Sequence, residues 1–163
     1  MAQAERYAWF SLVAWIAILL FLWMRFTTGV EILGQSVGLT IVEQSAGQLL
    51  GTYVSLTVFA IIAESIIAGS TASAAALQGI VKDERDHAIE SRANLAAYWF
   101  MAASVNVIVI QVLAGAAFGG RMIPQLSLTS FTTLTGISFA LMVALVGAEI
   151  VKRIALIWNY RAS

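Results

Sequence analysis

The sequence predicts an all-α integral membrane protein, a bundle of four transmembrane helices. Hydrophobic residues make up 60 % of its 163 residues and charged residues only 11 %, whereas soluble domains carry roughly a quarter charged residues. The apolar residues fall into four runs, each near the ~20 residues that cross a bilayer. The single proline, Pro124, falls between the last two runs. Each run can therefore form an unbroken helix, the form that satisfies every backbone group inside hydrocarbon.

The predicted spans are Ala8–Met24, Leu49–Ser70, Leu95–Phe118 and Phe131–Val151, together one domain over residues 1–163. Span one is longer than the apolar part of a signal peptide. It ends at Arg25 with no small-residue cleavage site after it, so it is read as a retained helix. Residues 26–48 form an outer loop in which Val30, Ile32, Val37 and Ile41 mix with Glu31, Gln35 and Glu43. That loop is read as lying on the headgroups, with an interfacial helix or a re-entrant piece, broken by its glycines, as the alternatives. Span two continues through small, helix-compatible residues to a stop near Gly79. Asp83 is then an N-cap for a helix that runs into span three. Spans two and three thus form a long hairpin whose tip, about residues 71–94, projects into the cytoplasm.

Basic residues orient the bundle. Arg6, Lys82, Arg85, Arg92, Lys152, Arg153 and Arg161 share one side, against Arg25 and Arg121 on the other. By the positive-inside rule both termini and the tip face the cytoplasm. Trp9, Trp23, Tyr53, Trp99, Trp158 and Tyr160 fall near the interfaces, as an aromatic belt does. Small residues recur every four positions at Gly47, Gly51 and Ser55, at Gly115 and Gly119, and along Gly136, Ala140, Ala144 and Ala148. Such rows allow close helix packing within one chain or in a homo-oligomer.

Several function classes drop out. A formal net charge of zero gives no basis for direct nucleic-acid binding, and the absence of cysteine removes disulfides and thiolate sites. No phosphate loop, dinucleotide fingerprint, zincin pair or nucleophile elbow occurs, so no enzyme is expected.

What remains is one charged block and two intramembrane acids. Residues 82–92 hold seven of the eighteen charged side chains and the only histidine. Asp83, Glu84, Arg85, Asp86, Glu90 and Arg92 are the candidate partner-binding residues. Glu84 and His87 have the Glu-x-x-His spacing of di-metal carboxylate bundles, but a second histidine would have to come from another copy. A divalent metal there is the less favoured reading and no cofactor is expected; the plain alternative is a solvated, salt-bridged helix start. Glu64 and Glu149 are buried-carboxylate candidates, costly unless partnered. Arg153 is the expected partner of Glu149, and Arg92, Lys152 or Arg153 that of Glu64. Asn106 and Gln111 add polar groups deeper in span three, read as interhelical hydrogen-bond donors.

The run Asp83-Glu84-Arg85-Asp86, with Ile89, Arg92-Ala93 and Tyr98-Trp99 after it, resembles a group of uncharacterised small prokaryotic membrane proteins. These have four spans and an Asp-Glu-Arg block before the third. The resemblance implies a membrane partner for a small helix-turn-helix regulator. Two functional readings follow. One is a non-enzymatic membrane subunit or regulator that, besides its lipid, binds a cytoplasmic protein through the charged tip or the spans. The other is a small proton or cation carrier, or a metal-binding membrane protein, using Glu64, Glu149, Glu84 and His87.

Overall fold

A computed structural model describes residues 3–32, 35–78, 84–118 and 133–162. They form α1 (Gln3–Phe26), β1 (Thr27–Ile32), β2 (Gln35–Ile41), α2 (Ala46–Gln78), α3 (Glu84–Phe118) and α4 (Leu134–Ala162). All four helices are long and apolar enough to cross a membrane. At 33 and 35 residues, α2 and α3 are about 50 Å long, well beyond the ~30 Å hydrocarbon core.

The helix ends follow local chemistry. Ser45 and Gln48 make a capping box: the Gln48 side chain accepts from Ser45 N at 2.9 Å and Ser45 Oγ accepts from Gln48 N at 3.3 Å. Span two therefore opens at Ala46, earlier than its apolar run suggests. Thr133 Oγ1 accepts from Gly136 N at 3.1 Å. This cap starts α4 at Leu134 rather than at Phe131. With no glycine or proline after Glu149 to stop it, α4 runs on to Ala162. The continuous helix expected from the charged block into span three is α3; its expected cap, Asp83, lies outside the described residues.

The segment after α1 corrects the expectation for residues 26–48. It is a two-stranded antiparallel hairpin in which Thr27 pairs with Ile41, Val30 with Val37 and Ile32 with Gln35. Its register shifts between Thr28 and Val30, where β2 carries the extra residue next to Gly38. A lone hairpin is marginal in water, and this one is bonded to the bundle. Val42 N donates to Phe26 O at 2.9 Å, and Thr27 Oγ1 to Trp23 O at 2.6 Å. Gln44 N donates to Thr135 Oγ1 at 3.0 Å, joining the strand exit to the start of α4.

Helix packing does not follow chain order. α4 packs against α3 and α1, and α1 packs against α2. Among the described residues α2 and α3 are not one of the closely packed pairs, and the turn of the expected α2–α3 hairpin, residues 79–83, lies outside the described residues. The apolar core has two parts. Ile18, Leu22 and Phe26 of α1 meet Leu49 and Leu56 of α2 and Phe139, Met142 and Val146 of α4. Phe139 stacks on Phe26 with ring centroids 5.0 Å apart. Toward the chain ends, Ala8 and Leu12 of α1 meet Ile89 and Ala93 of α3 and Leu156 and Ile157 of α4. The Glu5–Arg161 ion pair at 3.2 Å, with Arg161 over the Trp9 ring, holds the starts of α1 and the end of α4 together. Both helix ends and the start of α3 therefore share one end of the bundle.

The small residues divide by environment. Gly136, Ala144 and Ala148 are buried and Ala140 is half-buried on α4, as a packing row requires. Gly47, Gly51 and Ser55 are exposed, and a Cβ at either glycine would meet nothing within 4 Å. Gly119 and the side-chain environment of residue 115 lie outside the described residues. The close approach is at Gly147, where a Cβ would lie 2.8 Å from Phe100 Cε1. Gly147→Leu should therefore destabilise the bundle by about 1–3 kcal/mol through overpacking against α3. Gly51→Leu should not lower stability, because its space is open and leucine is the better helix former. Thermal unfolding of the two variants in detergent checks this difference.

Candidate functional site

Among the described residues of the spans, the most densely bonded polar group is the Glu64 carboxylate on α2. On α1, Tyr7, Ser11 and Trp15 are spaced four apart, so a period of 3.6 places them along one face. All three donate to Glu64: the Tyr7 hydroxyl to Oε2, and Ser11 Oγ and Trp15 Nε1 to Oε1, the last at 2.7 Å. Helical side chains lean toward the N-terminus, which brings the Trp15 indole down toward the level of Ser11. From α4, Arg153 donates from one terminal nitrogen to Glu64 Oε1 at 3.0 Å and to Glu149 Oε2 at 3.3 Å. The guanidinium also stands 5.3 Å from the centre of the Tyr7 ring.

Burial decides the energetics. The Arg153 side chain is only 8 % exposed, against 24 % for Glu64 and 36 % for Glu149. An uncompensated charge at such a site costs several kcal/mol, so each ion depends on the others. Arg153 Nε is buried and has no hydrogen-bond partner among the described residues, which leaves one unmet donor beside the carboxylates. Three neutral donors and a cation converge on Glu64 from two helices. The arrangement holds an anion and fixes helix positions.

The expected partner of Glu149, Arg153, is the one found, one turn away on the same helix. For Glu64 the partner is again Arg153, whereas Arg92 is exposed on α3. Tyr7, Ser11 and Trp15 were not expected from sequence. Their signal was there as hydrogen-bonding heads at positions i, i+4 and i+8 of an otherwise apolar span. Asn106 lies exposed on α3 and donates one N–H to Ala102 O of its own helix at 2.8 Å; Gln111 is half-buried.

In the charged block, Glu84, Arg85 and His87 are exposed and Asp86 and Glu90 are half-buried. The Tyr160 hydroxyl of α4 faces Asp86, with Glu90 and Arg85 close by. Among the described residues no three of His, Asp and Glu gather as a metal-binding group, so Glu84 and His87 acquire no third ligand there.

If Glu64 and Arg153 hold the helices as one unit, removing either should cost nearly as much as removing both. Glu64→Gln and Arg153→Gln, alone and together, should show a coupling of about 1–3 kcal/mol in a double-mutant cycle followed by detergent unfolding. Tyr7→Phe should cost about 1 kcal/mol, since it leaves the carboxylate its other donors.

Comparison with protein families, curated proteins and solved structures finds no match for this chain.

Proposed function

We propose that the chain is a non-enzymatic membrane subunit that binds a partner protein through the charged start of α3. In this reading it lies in a prokaryotic inner membrane with both chain ends and the α3 start on the cytoplasmic side, where the positive-inside rule puts them. One observation carries the proposal: the exposed Glu84, Arg85 and His87 stand directly before Ile89 and Ala93, which are buried against α1 and α4. Both signs of charge are thus presented on a turn whose base is fixed in the core. A preformed surface loses little conformational entropy when a partner docks. The resemblance of the Asp-Glu-Arg block points to a cytoplasmic regulator as the kind of partner.

Neutralising Asp83, Glu84 and Arg85 together should remove the partner that co-purifies from native membranes in mild detergent, while the bundle stays folded. Asp86 is left intact because it faces Tyr160. Undiminished co-purification would sink the proposal.

The second reading, a proton or cation carrier, draws on two carboxylates, Glu64 and Glu149, around one guanidinium. The donors that converge on Glu64 favour the subunit reading, because a cation there would have to displace them. Purified protein in liposomes should accordingly show no pH- or cation-gradient dissipation above protein-free vesicles, and Glu64→Gln should not change that. A flux that Glu64→Gln abolishes would reverse the preference.

A further inference from the structure

Asn106 stands where a lipid-facing helix has no use for an amide. It lies midway along the apolar stretch Leu95–Phe118, about 17 Å from either end at 1.5 Å per residue. That depth is the centre of the hydrocarbon, yet the residue is exposed. A carboxamide offers two N–H donors and a carbonyl acceptor. Among the described residues its one hydrogen bond takes a single N–H to the Ala102 carbonyl of its own helix. The carbonyl and the second N–H then face hydrocarbon, which costs free energy unless another group meets them.

The surroundings of Asn106 form a seam. Ile108, buried at 8 % exposure, lies on the far side of α3, some 160° round the helix from Asn106 at 100° per residue. On the side of Asn106 lie Trp99, Ala103, Ile110 and Leu113, all exposed, the three large ones at 63–64 %. Their positions, 99, 103, 106, 110 and 113, alternate steps of four and three. This is the 3.5-residue repeat of a left-handed two-helix contact. A single polar residue at the centre of such a seam fixes its register and the number of strands.

We propose that α3 pairs in parallel with α3 of a second copy of this chain, the two Asn106 carboxamides hydrogen-bonding each other across the two-fold axis. The identity of the partner follows from self-complementarity. In a parallel two-fold contact each central seam residue meets its own copy, and a carboxamide can donate to and accept from another carboxamide. An unrelated helix would need a polar group at the same depth and register. The seam lies in the span and not at the charged start of α3, so dimerisation and partner capture are separate readouts, and either can fail alone.

The chain contains no cysteine, so single reporters can be introduced cleanly. Ala103→Cys and Ile110→Cys should cross-link to homodimers in native membranes, several-fold more than Tyr98→Cys and Val107→Cys on the flanking faces. Adding Asn106→Leu should weaken the homodimer about tenfold, while Asn106→Gln should retain much of it. The unfolding midpoint of the detergent-dispersed monomer should not fall with Asn106→Leu. Equal cross-linking at all four positions, adducts only of a different mass, or no effect of Asn106→Leu would overturn the proposal.

Discussion

The bundle depends on one carboxylate. In lipid, helices gain little from burying apolar surface against each other, because the acyl chains are equally apolar. Something else must define which helices touch and at what height. Glu64 does so for three of them: it belongs to α2, takes donors from α1 and pairs with Arg153 of α4. These bonds have directions and short reaches, so they set rotation and depth together. The aromatic and aliphatic contacts of Phe26, Phe139 and Val146 then fill a frame whose alignment is already determined.

α3 is outside this frame and is held differently. Its contacts are mainly with α4, through the fit of Phe100 against Gly147 and the cluster of Ile89 and Ala93 with Leu156 and Ile157, which Ala8 and Leu12 of α1 complete. The span windows of α2 and α3 are only 11 % and 6 % buried, against 28 % and 39 % for α1 and α4. Two central helices thus carry two peripheral ones, each with a broad apolar face turned outward. Lipid can cover such a face at no cost, but it cannot satisfy Asn106.

Legibility in the sequence tracked the range of the physics. The four spans were readable because the solvent imposes them on every residue they contain. The Glu149–Arg153 pair was readable because one helical turn brings the two together. For Glu64 the sequence narrowed the partner to basic residues near one depth but could not choose Arg153 over Arg92, since that depends on which helices are neighbours. Which helices lie side by side was not legible, because in lipid no hydrophobic pattern distinguishes one pairing from another. The strand pair was not legible because Gly29, Gly34 and Gly38 read as helix breakers, although Val30, Ile32, Val37 and Ile41 supply β-branched residues suited to strands. Tyr7 is hidden because an aromatic residue near a span end serves equally well as an interface anchor, and Trp15 because an indole in mid-span reads as apolar packing.

The separation of Glu64 and Arg153 by 89 residues also gives the bundle a history. At roughly 5–20 residues per second, the carboxylate enters the membrane several seconds before its guanidinium has been made. Meanwhile Tyr7, Ser11 and Trp15, already present upstream, can hold it against α1. The first two helices are thus equipped to wait as a neutral-donor pair, and α3, made next, has only Ala8 and Leu12 of α1 to pack on until α4 follows. Synthesis of the last helix therefore completes two joints at once, the ion pair with α2 and the seat for α3. The fourth helix acts as the closing member of an assembly that is left deliberately open until the chain is nearly finished.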